Sequence, residues 1–362
     1  MDCAPLIARQ RQYFQTGATR PLAYRQEQLR RLQAAIESRE AALLDALHAD
    51  LHKSPHEAYT SEIGFILSDL SHALKHLPDW ITPQRRGLPL MAWPGRAAVH
   101  TEPFGVALII GPWNYPLQLL FAPLVGAIAA GNCVVLKPSE FAPHTAAVIA
   151  KLIADTFPAE YITVVEGDRS AAESLLREKF DTIFFTGSTK VGRAVMTAAS
   201  RHLTPVTLEL GGKCPAIVCA DAPLAVTARR IAWGKFMNAG QTCVAPDFVL
   251  VDRRIRQPLV DALKQAVREF YGDNPQLSPD YGRIVNRHHF DRLSVFASGI
   301  AEDLYIPPTI LTEVSWESPV MQEEIFGPIL PVLEFENLAD ALAQLRDRPA
   351  PLALYLFTND RA

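Results

Sequence analysis

Five cysteines occur in the chain, at positions 3, 133, 214, 219 and 243, and one of them has a setting suited to covalent chemistry. Cys243 closes the run Asn238-Ala239-Gly240-Gln241-Thr242-Cys243, whose polar, glycine-containing character keeps a thiolate accessible. Cys133 and Cys219 fall inside apolar runs, Cys214 borders one and Cys3 is terminal, so these four read as small hydrophobes or bystanders. A thiolate that adds to a carbonyl creates an oxyanion, and an oxyanion needs a hydrogen-bond donor. The side-chain amide of Asn114, in Gly111-Pro112-Trp113-Asn114-Tyr115-Pro116, is of the right type. The covalent adduct must then be released by activated water, for which Glu209, just ahead of Gly211-Gly212, is a candidate base. Taken singly, each has a plainer reading: an inert thiol, a turn-forming asparagine, a solvated carboxylate at a strand end. It is their joint occurrence that points to nucleophilic catalysis.

The elements that must position these residues alternate regularly. Apolar, strand-like runs at Val106–Ile110, Cys133–Leu136, Ile162–Val165, Thr182–Phe185 and Val206–Leu208 alternate with helical patterns over 117–130, 145–157, 171–179 and 189–202. Continuous apolar strands separated by helices predict a parallel sheet covered on both faces. In such sheets ligands bind beyond the carboxyl ends of the strands. Asn114 follows the first strand, Lys137 and Glu140 the second, Gly187 and Gly192 the fourth and Glu209 the fifth. Gly187 opens a helix whose free N–H groups can face a phosphate, and Gly192 allows close approach. Neither the Walker A pattern nor G-x-G-x-x-G is present, and these glycines taken alone read more readily as a simple turn than as a phosphate site. A second alternation, with strands near Ala216–Cys219 and Phe248–Val251 and helices over 224–237 and 258–271, predicts another α/β unit from about residue 210. Upstream, one amphipathic helix is expected over 21–51 and another over 62–77. The Pro- and Gly-rich stretch 83–95, with Leu88, Leu90, Met91 and Trp93, reads as a protruding arm that seeks a partner subunit.

At 362 residues the chain is long enough for two domains at about 150 residues each. Thirty-five Lys and Arg against 39 Asp and Glu leave a net charge of −4 with no basic stripe, which excludes nucleic acid as a partner. An odd number of cysteines without a CxxC pair suits a reducing compartment. With no secretory leader in view, the expected location is the cytoplasm. Leu117–Leu136 approaches membrane-span length but contains Pro123, Gly126, Gly131 and Asn132, so a buried helix followed by a buried strand is expected instead. His48, His52 and His56, and the pair His72 and His76, have helical metal-ligand spacing. No HExxH accompanies them, Pro55 interrupts the first set, and the chemistry above needs no metal.

The segments Thr101 to Glu140, Phe184 to Gly192, Leu208 to Lys213, Phe236 to Ala245 and Pro319 to Pro328 together resemble the NAD(P)-dependent aldehyde dehydrogenases. The wording is closest to the class 3 branch, which includes fatty, benzaldehyde-type and coniferyl aldehyde dehydrogenases. The resemblance implies a Rossmann-like, doubly wound parallel-sheet cofactor domain over 1–80 and 104–208. It also implies an oligomerisation hairpin over 81–103, a second α/β catalytic domain over 209–362, and assembly as a homodimer. It makes Cys243 the nucleophile, Asn114 with the Cys243 backbone N–H the oxyanion donors, and Glu209 the base that activates the deacylating water. Lys137 and Glu140 match residues that hold the adenine-side ribose, Gly187 and Gly192 flank the pyrophosphate, and Glu324 matches the carboxylate that grips the nicotinamide ribose. Tyr115, Leu119 and Trp233 match the aldehyde tunnel, and their apolar character favours medium- or long-chain aliphatic or aromatic aldehydes. The implied reaction passes through a thiohemiacetal and a thioester to the carboxylic acid. NAD is favoured on charge because Glu140 repels a 2′-phosphate, without excluding NADP. Relative to the family the chain reads as shortened between Gly299 and Ile300 and as truncated at its C-terminal end. Two alternatives stand beside this expectation: an inactive truncated form and a cofactor-independent thiol esterase.

Overall fold

The computed structural model describes residues 2–360. The chain divides into two compact units, one comprising the residues up to Leu47 together with Ala58–Glu209, the other His48–Glu57 together with the chain from Leu210 on. The segment 48–57, expected in the first domain, belongs to the second unit, where Arg283 N–H donates to the Leu51 carbonyl at 3.0 Å.

The first unit starts with helices Ala4–Gln15 and Leu22–Glu37, and Glu40–Leu51 follows across the division. The single helix expected over 21–51 is broken at Ser38–Arg39, where Ser38 Oγ bonds the Ala35 carbonyl and Arg39 N–H reaches back only three residues to Ile36. Such local side-chain bonding competes with the α-helical ladder. A π-helical turn, Tyr59–Ile63, runs directly into Gly64–Trp80. Strands β1 (Gln84–Arg86) and β2 (Ala97–Val99) pair antiparallel as the predicted arm, and its tip exposes Leu90, Met91 and Trp93, with Met91 99% exposed.

Strands β3 (Val106–Ile110), β4 (Cys133–Lys137), β5 (Ile162–Val164), β6 (Thr182–Gly187) and β7 (Val206–Leu210) form one sheet in the order β5-β4-β3-β6-β7. The β4–β5, β3–β4 and β3–β6 pairs are parallel. Every residue of β3 and β4 is buried, as expected of strands covered on both faces. The order reverses at β3, where the chain turns outward first to β4 and then to β6. The crevice at such a reversal is where doubly wound sheets hold their ligands. The apolar stretch after Tyr115 resolves into helix Gln118–Ala130, ended by Gly131 at φ +91°, and then β4. No helix of the described residues is long and apolar enough to cross a membrane.

The second unit holds β8 (Pro215–Val218), β9 (Phe248–Asp252), β10 (Thr309–Leu311), β11 (Ile329–Phe335) and β12 (Tyr355–Phe357), in the order β10-β11-β9-β8-β12 with all neighbours parallel. Helices Leu224–Phe236 and Arg256–Tyr271 pack on a core built from β8, β9 and β11. At the site of the expected shortening the chain makes a tight turn: Ile300 and Tyr305 exchange backbone hydrogen bonds of 2.8 and 3.1 Å.

Candidate functional site

In the first unit, β3 ends at Ile110 and the Gly111 N–H donates to the Lys137 carbonyl at 3.0 Å, so the loop that follows leaves the sheet beside β4. That loop buries Asn114 and Tyr115, and Leu119 lies half-buried on the first turn of the next helix. Lys137, the last residue of β4, is almost wholly buried. Its ammonium donates to the Pro138 carbonyl at 2.7 Å and stands 3.6 Å from Glu140, and burial holds its pKa below the usual lysine range. Gly187 ends β6, and Ser188 caps helix Thr189–Ser200 by accepting the Val191 N–H at 3.4 Å. Gly192 is buried on that helix. The Thr186 hydroxyl, just before Gly187, is buried with no hydrogen-bond partner. Glu209 is exposed on the edge strand β7. The structure thus gathers Asn114, Lys137, Glu140, Gly187, Gly192 and Glu209 at the carboxyl ends of β3, β4, β6 and β7. A buried cation, an orphaned hydroxyl and a helix N-terminus fit an anionic, hydroxyl-bearing group such as a dinucleotide.

In the second unit, helix Leu224–Phe236 is followed by three consecutive left-handed residues, Asn238 at φ +51°, Ala239 at +50° and Gly240 at +76°. A Cβ at Gly240 would collide with the Gly327 carbonyl. Gln241, wholly buried, holds this turn: its amide nitrogen donates to the Asn238 carbonyl at 3.0 Å and the Arg283 carbonyl at 2.9 Å, and its oxygen accepts the Val285 N–H at 3.0 Å. Cys243 emerges from the turn half-buried, with its carbonyl 3.4 Å from Cys214 Sγ. Burial pushes Cys133 up to about 12 and Cys214 up to about 11, and also raises Cys3 and Cys219. Those thiols are protonated and unreactive at neutral pH. Trp233 is 60% exposed on the preceding helix.

Glu324 sits in a network of buried charge. Its carboxylate packs on the Gly211-Gly212 turn, where a Cβ at Gly211 would collide with it, and accepts the Gly212 N–H. The residues on either side are anchored by an ion pair between Lys213 and Asp247: Lys213 donates to the Glu323 carbonyl at 2.8 Å, and Asp247 accepts the Ile325 N–H at 2.9 Å. Burial raises the Glu324 carboxyl to about 7 and pushes the nearby, fully buried Lys235 down to about 8. A carboxyl whose folded pKa exceeds its unfolded value stabilises the fold fully below the unfolded value and loses that contribution as pH rises through the folded one. Denaturant melts across pH 4–8 are expected to show wild type losing stability relative to Glu324→Gln as pH rises from about 4.5 to about 7. A difference that stays flat across that window would mean that the carboxyl is unperturbed.

The family model of the aldehyde dehydrogenases matches residues 1–362. The chain belongs to the aldehyde dehydrogenase family. It is 48% identical over 359 residues to the 4,4'-diaponeurosporen-aldehyde dehydrogenase of Staphylococcus aureus, covering 96% of this chain and 78% of that protein. It is 44% identical to the dimeric NADP-preferring aldehyde dehydrogenase of Canis lupus familiaris, covering 98% of this chain and 81% of that one. The substrate-bound structure of Staphylococcus aureus AldH superposes with a TM-score of 0.98 at 46% identity, covering all of this chain and 81% of that one. The NAD+ complex of a Mycobacterium tuberculosis aldehyde dehydrogenase does so with a TM-score of 0.88 at 27% identity, over 99% of this chain and 79% of that one. As an aldehyde dehydrogenase, the protein oxidises an aldehyde to the carboxylic acid with NAD(P)+.

Several residues that shape this aldehyde dehydrogenase were not singled out by their types alone. Gln241 lies inside the Cys243 run but bonds to backbone 42 and 44 residues further on. Lys235 was detectable, since it interrupts the buried stripe Ala228, Ile231, Ala232, Phe236 of its helix. Asp247 and Glu62 carry no local signal. Among the histidines, the His48 and His52 rings are 4.3 Å apart and the His72 and His76 rings 4.4 Å apart. No group of three or more His, Cys, Asp or Glu among the described residues is placed to hold a metal ion.

Proposed function

We propose that this aldehyde dehydrogenase acts on medium- to long-chain aliphatic or aromatic aldehydes with Cys243 as nucleophile. The observation that carries the proposal is the Cys243 turn: of the two thiols that escape full burial, Cys219 and Cys243, only Cys243 is delivered by a strained, side-chain-clamped turn, and burial raises the pKa of the Cys219 thiol. The Cys243 sulfur adds to the carbonyl carbon while the carbonyl electrons move to oxygen. The Asn114 amide and the Cys243 N–H donate to that oxyanion. NAD(P)+, when bound, supplies the acceptor for the hydride whose departure leaves a thioester. Glu209, exposed at the end of β7, takes a proton from water, the hydroxide attacks the thioester carbon, and the thiolate leaves with the acid as product.

Lys137 and Glu140 hold the adenine-side ribose, the Gly187–Gly192 turn faces the pyrophosphate, and Glu324 binds the nicotinamide ribose. The first unit carries most of these cofactor residues together with Asn114 and Glu209, and the second carries Cys243 and Glu324. Glu140 favours NAD by charge while leaving NADP usable. Tyr115, Leu119 and Trp233 offer the aldehyde apolar and aromatic surface. The exposed Leu90, Met91 and Trp93 of the β1–β2 arm are of the kind that closes against a second copy, which favours a homodimer, and the free thiols suit the cytoplasm.

Incubation with an aromatic aldehyde and NAD+ tests the reaction by the appearance of NADH. In Glu209→Gln a burst of one NADH per active site is expected, followed by slow release of acid. Steady turnover at the wild-type rate would assign the base to another group.

A further inference from the structure

We propose that Tyr355 is a positioning residue for Cys243: its hydroxyl, together with the Cys214 thiol, holds the β-turn on which the nucleophile rides. This rests on the role given to Cys243 above. Residues Thr242–Ala245 form the turn, closed by the Ala245 N–H, which donates to the Thr242 carbonyl at 3.0 Å, with Cys243 and Val244 at the two central positions. One closing bond determines such a turn only weakly. The peptide between the central residues can rotate, swinging ψ of the first of them from about −30° in type I to about +120° in type II and reversing its carbonyl. Val244 keeps a negative φ, which is the type I arrangement. Both carbonyls at the head of the turn are held there by side chains. The Cys243 carbonyl accepts the Cys214 thiol at 3.4 Å, and the Val244 carbonyl accepts the Tyr355 hydroxyl at 2.5 Å. The two donors keep their protons: burial raises Cys214 to about 11, and burial, reinforced by the Cys214 and Cys243 thiols, raises the Tyr355 phenol above its usual range.

Both donors belong to the sheet of the second unit. Tyr355 opens β12 and lies opposite Ala216 of the parallel strand β8. Cys214 stands just ahead of β8, where its carbonyl accepts the Asp247 N–H at 2.7 Å and its sulfur accepts the Ala353 N–H at 3.3 Å. Cys214 thus ties together the entries to β8, β9 and β12. A group carried on a strand is placed more precisely than one carried on a loop, and a tyrosine ring adds only two side-chain torsions between strand and hydroxyl. Gln241 fixes the chain that enters the turn, and Tyr355 with Cys214 fixes the chain that leaves it. The direction of a Cα–Cβ bond follows from where the backbone N, Cα and C lie, so a turn held on both sides sets the bearing of the Cys243 side chain and of its N–H together.

The test is Tyr355→Phe in the full chain, which deletes the hydroxyl and leaves the ring in place. The rate of the first turnover, read as NADH by stopped flow, is expected to fall about 5-fold, with NADH affinity by fluorescence unchanged within about two-fold. Followed from about pH 6 to about pH 9, that rate should keep its midpoint and lose height, since a misdirected thiol ionises as before but attacks less often. A displaced midpoint at unchanged height would make the hydroxyl a group that acts on thiol ionisation, and would overturn the proposal. A wild-type first turnover with a lower melting temperature would make it a merely structural hydroxyl and overturn the proposal too, as would a parallel loss of NADH affinity. NADH formation at the wild-type rate in Cys243→Ala would instead overturn the role of Cys243, and that single variant separates the one failure from the others.

Discussion

Cys243→Ala is expected to abolish NADH formation from any aldehyde, a loss of roughly 10⁴-fold or more in kcat, because the thiolate is the group that turns the aldehyde into a hydride donor. Cofactor binding should survive, since the dinucleotide contacts proposed above are made by other side chains. None of the remaining thiols can substitute: Cys214 and Cys133 are fully buried and held protonated, and Cys3 and Cys219 are shifted in the same direction. Mass spectrometry after brief exposure to iodoacetamide should find the label at Cys243 first, and enzyme so labelled should be inactive. Dehydrogenase activity above a hundredth of wild type in Cys243→Ala would place the covalent chemistry elsewhere.

Asn114→Ala is expected to cost about 10²–10³ in kcat while the protein keeps its fold and its affinity for NADH, the usual price of one oxyanion donor. The loss falls on kcat because the hydrogen bond strengthens as charge develops on oxygen. Deletion of a merely structural asparagine would leave kcat near its original value and appear as a lower melting temperature. Stopped-flow measurement locates the effect: the NADH burst should slow by the same factor as turnover if oxyanion formation becomes limiting. A burst of wild-type rate followed by slow turnover would shift the role of Asn114 to deacylation.

How much of this was legible in the sequence depended on where each residue finds its partners. Strands β3 and β4 were plain because residues buried on both faces must all be apolar, which leaves an uninterrupted run. Helix Ala4–Gln15 left no such trace. It buries only Ile7 and Gln10, and docks through polar side chains: Gln10 bonds the Val134 and Ala159 carbonyls and Arg11 pairs with Asp181. Apolar periodicity cannot register a helix held that way. The same division applies at the site. Asn114 and Glu209 were visible as polar groups at strand ends, and Cys243 as a thiol in a polar, glycine-containing run. Gln241 and Glu62 serve backbone N–H and carbonyl groups far along the chain, and every residue has those.

The three left-handed residues before Cys243 bear on how portable the setting of this thiol is. A residue such as Ala239 gives up about 1–2 kcal/mol to adopt that conformation, and Gln241 holds it there through the Asn238 carbonyl within the turn and the distant Arg283 carbonyl and Val285 N–H. The hexapeptide Asn238–Cys243, copied into a loop of another protein, would relax to right-handed or extended backbone and offer an ordinary cysteine. Part of what poses the thiol is therefore inherited from a strip of main chain some forty residues away, and a homologue that keeps the signature but loses that strip would retain the letters without the posture.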